Sequence, residues 1–482
     1  MSNLASFLMP HAPVFLEAIG QHQIRAVEKT IESMHKIGKT IKELKPDMIV
    51  FVSPHGPVFS DAIAVYDLES YTGDFHAFGE FELEYEFKVE SKFLKLLCEL
   101  SDEHGLDYYP LKKNQFKEFH HDPKLDHGVL VPAHFIYQHV DNIPMVAMSY
   151  GTFPYLRLIK NGKLLKTVSD KLGLNIVVIA SGDMSHALKD SGPYAFDPNG
   201  PWFDALMTKF IDEQKPWAIF TESLDKIEHA RECGLRSFAV MLGALEGSNF
   251  NSKVLSYEGP FGVGYLCASF IKVDDGVDMD WLIKMENKLQ DQYEAHIKKE
   301  HFLVKFARLV VEERVKGRVP PKLSITDEFV KVNNRSLKWP EDHGFLKTRR
   351  GTFVSIKNES GLRGCIGTIL PTQDNIIDEI YRNSIAAATK DYRFNPIEAD
   401  ELQNLIISVD VLSELEEVED QGELSPDRYG VIVSSRGRQG VLLPNLESIE
   451  TVDEQLRIAC NKGGFSVDEM DKIMRFTVDR FK

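Results

Sequence analysis

The sequence feature that most constrains the fold is a proline-histidine motif that occurs twice, each time directly after an apolar run. Pro10-His11-Ala12-Pro13 follows the apolar residues 5–9, and Pro54-His55-Gly56-Pro57 follows the apolar residues 48–52. Each run predicts a buried β-strand, which ends at the proline because proline cannot donate to a sheet hydrogen-bond ladder. One such histidine alone indicates only a polar strand end. The repetition favours a shared site outside the carboxyl ends of the strands.

Strands and helices alternate through the first part of the chain. Residues 21–44 place isoleucine, valine and methionine at spacings of three and four, which predicts an amphipathic helix. Residues 175–180 predict a further strand, which leads into Ser181-Gly182-Asp183-Met184-Ser185-His186. Strand, helix and strand in this order indicate βαβ units. We therefore expect residues 1–274 to form an α/β domain with a central, mostly parallel sheet flanked by helices.

After residue 274 the pattern of apolar and charged residues changes. Residues 275–299 are highly charged, with apolar residues at helical spacing, which predicts a connecting helix. Helical and alternating strand patterns then follow one another, with a glycine-containing turn that predicts a hairpin. These patterns cover residues 302–315, 351–356, 376–390, 405–411, 430–443 and 453–462. We expect a second domain of the α+β class over residues 300–482.

Composition limits the classes of protein to which this chain could belong. Its 482 residues exceed what one core usually holds, so two or three domains are expected. The formal net charge of -17 argues against nucleic-acid and anionic-membrane partners. No apolar run is long enough to span a bilayer, and no signal peptide is predicted. The five scattered cysteines form no CxxC pair, which favours a cytoplasmic location. The composition does not determine the oligomeric state, and a homo-oligomer is one of the states that it allows.

The two motif histidines provide the beginning of a metal site. Two neutral imidazoles and one carboxylate on one face suit non-haem Fe(II), and leave open positions for a substrate and O2. His11 and His55 supply the imidazoles. For the third ligand the sequence offers Glu232 beside Cys233. Spacing alone leaves three further carboxylates open: Asp122, Asp126 and Asp183.

A third histidine, His186, follows its own strand and a Gly-Asp turn. A histidine near neutrality can move a proton to or from a bound substrate, and a cap or a core hydrogen bond is the alternative role. Between these motifs, residues 119–128 contain a dense group of histidines and aspartates. Such a group is typical of a polar loop, and a polar loop can overhang a site.

Taken in order, these motifs resemble those of a known family. The motifs around His11 and His55, Asp126-His127-Gly128 and the segment 181–186 are similar to those of the class III extradiol ring-cleaving dioxygenases. The resemblance is to the protocatechuate 4,5-dioxygenase catalytic-subunit type, in a family that also includes the Memo-like proteins. It covers the first predicted domain.

This resemblance implies a chemistry. It implies Fe(II), or else another divalent metal, bound by His11 and His55, with His186 as acid/base and His127 beside the ligands or the substrate. The implied substrates are O2 and a small catechol-like or aminophenol-like aromatic. The dioxygenases carry a glutamate as third ligand and the Memo-like proteins a cysteine, and Glu232-Cys233-Gly234 offers both. The alternative function is a metal-binding or redox accessory protein without ring cleavage.

The second domain has one outstanding motif, Leu362-Arg363-Gly364-Cys365-Ile366-Gly367. Its glycines predict a close backbone approach, and Cys365 is either a small buried residue or a reactive thiol beside Arg363. With residues 383–388, 391–394 and 440–444, this hexapeptide is similar to the AMMECR1 domain family, which implies a fold but no settled activity. The fusion resembles paired components of a bacterial and archaeal system that includes a radical S-adenosylmethionine protein. That protein is the implied partner.

Overall fold

The structure is a computed structural model, which describes residues 3–274, 281–323, 329–332, 335–338, 344–358, 361–399, 401–446, 449 and 451–482. The chain divides into two units, Met1–Gln290 and Asp291–Lys482. The predicted boundaries at residues 274 and 300 fall on either side of this division, which lies inside one helix, Trp281–Lys299. Residues 275–280 of the predicted connecting helix lie outside the described residues.

An eight-stranded sheet forms the centre of the first unit, with the strand order β6-β3-β7-β2-β8-β1-β10-β9. The central strands β7, β2, β8 and β1 run parallel, and antiparallel pairs lie at both sides. The predicted α/β class with a mostly parallel sheet is confirmed. The strands of this unit, including the separate hairpin β4–β5, are β1 (Asn3–Met9), β2 (Met48–Val52), β3 (Ile63–Asp67), β4 (Ser70–Phe75), β5 (Glu80–Lys88), β6 (Tyr108–Lys112), β7 (Met145–Met148), β8 (Ile176–Ser181), β9 (Asn249–Glu258) and β10 (Tyr265–Asp274).

Helices cover both faces of this sheet. Ile49 and Phe51 of β2 pack into one core with α2 and α4, whereas Val50 and Val52 pack into another core with α5 and α8. Because both faces are buried, the central strands are apolar at every position rather than at alternate ones. The helices are α1 (Glu17–Gly20), α2 (Glu28–Leu44), α3 (Ser91–His104), α4 (His127–Tyr137), α5 (Tyr155–Leu172), α6 (Asn199–Asp212), α7 (Leu224–His229), α8 (Leu235–Gly243) and α9 (Trp281–Lys299).

One predicted helix begins later than its apolar pattern indicates. Residues Gln21–Val27 form a 3-10 helix, and the α-helix begins only at Glu28. Val27, directly before the α-helix, has φ of -128° and ψ of 26°, and Gln21 has a positive φ of 48°; neither conformation is α-helical. Among the described residues, no helix has both the length and the apolar character needed to cross a membrane.

The carboxyl ends of three central strands lie level with one another. Strand β8 lies between β1 and β2, and Met9 pairs with Ser181 while Val52 pairs with Ala180. The residues that follow these strands therefore leave the sheet at the same edge. This register brings His11, His55 and the segment after Ser181 together.

The described residues of the second unit form two four-stranded antiparallel sheets, with the orders β14-β13-β15-β20 and β16-β19-β17-β18, and a two-stranded pair, β11-β12. Helices α10 (Phe302–Val315) and α11 (Ile376–Thr389) pack on the first sheet and α12 (Val452–Gly463) on the second. This is the α+β pattern that the sequence predicts. The strands are β11 (Phe329–Val332), β12 (Arg335–Lys338), β13 (Thr352–Asn358), β14 (Gly361–Thr368), β15 (Ile406–Leu412), β16 (Glu416–Glu417), β17 (Gly430–Ser435), β18 (Arg438–Leu442), β19 (Lys472–Phe476) and β20 (Val478–Phe481).

Candidate metal centre

The two motif histidines face each other at the edge of the sheet. His11 Nε2 and His55 Nε2 lie 2.8 Å apart, and the rings are nearly perpendicular. The other nitrogen of His11, Nδ1, lies 3.1 Å from Ser181 Oγ. If Nδ1 carries the proton and donates it to this hydroxyl, the lone pair of Nε2 points toward His55. A histidine held in this way by its outer nitrogen is typical of a metal ligand.

Cys233 completes a set of three side chains that could hold a metal ion. Its Sγ lies 3.8 Å from His11 Nε2 and accepts a hydrogen bond of 3.3 Å from the Asp183 backbone N–H. The donor atoms of His11, His55 and Cys233 all lie within 4.8 Å of one another, and within the described part of the chain this is the one group of three such side chains. A metal–nitrogen and a metal–sulfur bond together span about 4.4 Å, so the residues fit one ion after small side-chain shifts.

Glu232 has a different position from its neighbour. Its carboxylate accepts a hydrogen bond of 2.6 Å from the Leu235 backbone N–H, in the first turn of α8, and lies outside the group of three donors. Burial raises the pKa of Glu232 to about 7, against the effect of the Leu235 N–H and Arg236. The carboxylate thus satisfies a free backbone donor of the helix, as an N-terminal acidic group commonly does.

The other three carboxylates that the sequence offers as a third ligand lie outside this group of donor atoms. Asp183 accepts a hydrogen bond of 3.0 Å from the His11 backbone N–H, and burial raises its pKa to about 7. Asp126 accepts hydrogen bonds from Ser53 Oγ and the Gly128 N–H. Asp122 is exposed on the loop. Asp183 therefore positions His11 through its backbone and is not one of the three grouped donors.

His186 lies beside this centre in one defined tautomer. Its Nδ1 lies 2.6 Å from the Arg231 carbonyl oxygen, and since a carbonyl only accepts hydrogen bonds, Nδ1 carries the proton. The lone pair on Nε2 is then available to accept a proton. Burial lowers the pKa of His186, so the imidazole is neutral at pH 7. This arrangement suits a general base.

His127 begins helix α4 and stacks on His55, with ring centroids 4.1 Å apart. The side chain of Asp126 caps the same helix by accepting the Gly128 N–H at 2.8 Å. Burial, with the neighbouring His55, lowers the pKa of His127 to about 4. A neutral His127 would add no positive charge beside a bound metal ion.

Metal binding would require a change of protonation at the cysteine, whereas His11 is already in the form that a metal requires. Burial lowers the pKa of His11 well below its ordinary value, and the neighbouring histidines add to this effect. Both features favour the neutral imidazole that a metal requires. Burial, with Asp183 and Glu232, raises the pKa of the Cys233 thiol well above its ordinary value in the absence of a cation. Ionisation of this thiol would therefore accompany metal binding.

In the second unit, Arg363 and Cys365 have separate partners. Arg363 forms a two-bond ion pair with Glu401, at 2.6 and 2.9 Å. Cys365 Sγ accepts a hydrogen bond of 3.2 Å from Ser355 Oγ on the neighbouring strand, and its backbone N–H donates to Asp391 at 2.9 Å. The arginine guanidinium is thus engaged with a carboxylate. Whether Cys365 is reactive stays a prediction.

Sequence reasoning missed the residues that hold these side chains in place. Ser181 belongs to the segment 181–186, but no local sequence pattern connects its hydroxyl to His11. Phe78, from the β4–β5 hairpin, lies against His127 with a centroid distance of 5.2 Å, and no motif marked it. Both contacts join residues that are far apart along the chain, so only the fold reveals them.

Comparison with known protein families agrees with this division of the chain. Residues 5–268 match the family model described as the catalytic LigB subunit of aromatic ring-opening dioxygenase. Residues 304–481 match the AMMECR1 family model. Each match falls within one of the two units.

Individual relatives carry names that give no activity. Protein CA_C1420 from Clostridium acetobutylicum is 35% identical over 482 residues and covers 100% of both chains. A protein from Thermotoga maritima is 45% identical over 187 residues, which are 38% of this chain and 98% of that protein. The crystal structure of uncharacterized protein PH0010 from Pyrococcus horikoshii is 26% identical and covers 37% of this chain and 88% of that chain, at a TM-score of 0.30.

Proposed function

Because the chain belongs to the family of the catalytic LigB subunit of aromatic ring-opening dioxygenases and carries an AMMECR1 domain, we propose that it is a metal-dependent oxidoreductase. Its proposed substrates are O2 and a small aromatic with two adjacent hydroxyl groups, or one hydroxyl and one amino group. The observation that carries the proposal is the convergence of His11, His55 and Cys233 within 4.8 Å at the carboxyl ends of the central strands. The proposed metal is Fe(II), with another divalent metal as the alternative.

The protein residues have distinct proposed roles. Bound Fe(II) would supply open positions for the aromatic and O2, and would pass electron density between them. His186 Nε2 accepts the proton of a ring hydroxyl, because Nδ1 is already committed to the Arg231 carbonyl. His127 holds the His55 ring by stacking and borders the space for the substrate. Ser181 fixes the ring orientation of His11.

A second candidate function is favoured by the cysteine in the donor set. Thiolate ligands favour softer metals than a carboxylate does. We therefore also propose that the centre serves a metal-binding or redox accessory protein that works with a radical S-adenosylmethionine enzyme. Under this proposal the AMMECR1 domain, with Arg363 and Cys365 as its candidate functional residues, contributes to that partnership.

Metal analysis tests which residues form the centre. After anaerobic loading with Fe(II), we expect Cys233→Ala to lose bound iron. Glu232→Gln is the matched control, because glutamine can still accept the Leu235 N–H, and it should retain iron. Loss of iron from Glu232→Gln with retention in Cys233→Ala would instead favour a carboxylate-ligated centre.

Oxygen consumption tests the enzyme proposal. The iron-loaded protein should consume O2 in the presence of a catechol or an aminophenol, and His55→Ala should abolish the consumption. If the loaded protein consumes no O2 with a broad panel of such compounds, the dioxygenase proposal fails. The accessory proposal fails if analytical ultracentrifugation with the purified radical S-adenosylmethionine protein of the same organism shows no complex.

A further inference from the structure

Two solvent-exposed aromatic rings border the histidines of the candidate metal centre. Phe78 is 41% exposed, and its ring centroid lies 5.2 Å from that of His127, which stacks on His55. Tyr194 is 52% exposed, and its ring centroid lies 6.4 Å from that of His186. Each ring leaves apolar surface exposed beside these histidines, and an aromatic ligand bound there would cover that surface.

Phe78 is held in position by the hairpin that carries it. It ends the 3-10 helix His76–Phe78 at the tip of the β4–β5 hairpin, where Gly79 adopts a φ of 80°. Phe75 and Tyr71 of β4 are fully buried and anchor the hairpin in the core. The position of Phe78 at the surface therefore follows from the way in which its hairpin is anchored.

Tyr194 is linked to the segment that carries the cysteine. The Arg231 guanidinium lies over its ring at 5.8 Å from the centroid, which is a cation–π distance. The carbonyl oxygen of the same arginine accepts the Nδ1 proton of His186. Arg231 has a left-handed backbone conformation, with φ of 55°, at the residue before Glu232. One strained residue thus connects the ring of Tyr194, the tautomer of His186 and the start of the Glu232-Cys233 segment.

We propose that Phe78 and Tyr194 bind the ring of a planar, single-ring aromatic substrate and hold its hydroxyl groups toward the metal centre. This inference rests on the proposed function, and it assigns the residues that favour a flat aromatic ring over a ring-free chelator. Edge-to-face and offset-stacked contacts favour an aromatic partner beyond the burial of apolar area. A ring-free chelator such as acetohydroxamic acid also offers two oxygen donors to a metal ion, but it has no flat ring to meet Phe78 or Tyr194.

The chain offers a matched control for each aromatic residue. Phe81, on the same hairpin, is 69% exposed, and its ring lies against His76. Phe196, two positions from Tyr194, is 50% exposed. Neither residue contacts His127 or His186 in the described ring contacts. Removal of these two rings tests for general effects of losing an exposed aromatic side chain.

The experiment measures binding without turnover. The full-length protein is loaded with Zn(II), which does not undergo redox chemistry, and titrated with 4-nitrocatechol while the absorbance of the probe is followed. We expect Phe78→Ala and Tyr194→Ala each to weaken binding by about tenfold at unchanged zinc content. Phe81→Ala and Phe196→Ala should stay within about twofold of the wild type. The affinity for acetohydroxamic acid, measured by displacement of the probe, should stay within about twofold of the wild type in all four variants.

Several results would overturn the inference. These are equal affinities of Phe78→Ala and Phe81→Ala for the probe, an equal loss of affinity for the probe and for acetohydroxamic acid in Phe78→Ala or Tyr194→Ala, or no binding of the probe to the zinc-loaded wild type. A failure of the proposed function would give a different set of results from a failure of this inference. If the iron-loaded protein consumes no O2 but ring binding still depends on Phe78 and Tyr194, the binding site stands and the dioxygenase proposal fails.

Discussion

At the scale of single residues, only one of two adjacent side chains that could bind a metal lies in the candidate metal centre. Glu232 and Cys233 are adjacent, yet the carboxylate turns toward the Leu235 N–H of α8 and the thiol lies toward His11. Either side chain has the chemistry of a metal ligand. What separates them is that Glu232 satisfies a backbone donor at the start of a helix.

Ser181 provides a prediction about metal affinity. Its hydroxyl is 3.1 Å from His11 Nδ1, and loss of such an outer partner typically costs about 10- to 100-fold in affinity. We expect Ser181→Ala to weaken zinc binding by about that factor, measured by competition with a chromophoric chelator. Ser237→Ala is the control, because this buried hydroxyl has no hydrogen-bond partner among the described residues. Equal affinities for the two variants would contradict the role assigned to Ser181.

Asp204 provides a prediction about pH. This buried carboxylate accepts hydrogen bonds from the Ser185 N–H at 2.9 Å and the Tyr257 hydroxyl at 2.6 Å, and burial raises its pKa from 3.8 to about 6. Because the folded state keeps this proton to higher pH than the unfolded state, stability is lost as the pH rises from about 4 to 6. Asparagine cannot ionise and retains both hydrogen-bonding partners.

We therefore expect Asp204→Asn to gain free energy of unfolding relative to the wild type as the pH rises through this window. Between pH 4.5 and 7.5 the relative gain should be about 2 kcal/mol, since about 1.5 pH units separate pH 4.5 from the folded-state pKa of about 6 and each corresponds to about 1.4 kcal/mol. Urea unfolding of both proteins at pH 4.5 and 7.5 measures it. Parallel pH dependences of the two proteins would show that Asp204 does not retain its proton in the fold.

At the scale of elements, two loops meet so closely that only glycine fits. A Cβ on Gly182, just after β8, would lie 2.0 Å from the Gly234 Cα. This contact brings the end of β8 against the segment that precedes α8. Cys233 is thereby held next to the Asp183 backbone, which donates to its sulfur at 3.3 Å. The packing of these two loops therefore determines where the Cys233 thiol lies.

Gly182→Ala tests this packing. The clash is with backbone, so the two loops must separate, and we expect the free energy of unfolding to fall by about 1–3 kcal/mol. Metal binding should weaken as well, because Cys233 moves away from His11. Gly422→Ala is the control, since a Cβ there meets nothing nearer than 3.5 Å. Unchanged stability and metal content in Gly182→Ala would show that the loops can move apart freely.

At the scale of the whole molecule, each unit has its own hydrophobic core, and all members of the candidate metal centre come from the first unit. In the second unit, Arg308 and Glu300 form an ion pair with 2% and 4% exposure. A buried charge that loses its partner is strongly destabilising. This pair therefore offers a way to perturb one unit selectively.

We expect Arg308→Met to lower the free energy of unfolding of the second unit by about 3–5 kcal/mol. The metal affinity of the first unit should not change, because no ligand is altered. Chemical denaturation and metal titration measure the two quantities. Arg457→Met removes an exposed pair with Glu454 and should have a small effect on stability. A large loss of metal affinity in Arg308→Met would show that the units are energetically coupled.

The sequence by itself determined the α/β and α+β classes, most element positions and the three strand ends that carry His11, His55 and His186. Residue periodicity and proline act locally, so these features are encoded in short segments. Only the tertiary structure decided that Cys233 rather than Glu232 lies beside the histidines, and that Phe78 and Tyr194 border them. Cys233 is 222 residues from His11 in the chain. No local pattern specifies such a contact, because it is set by the sheet register and by the close packing of the loops around Gly182.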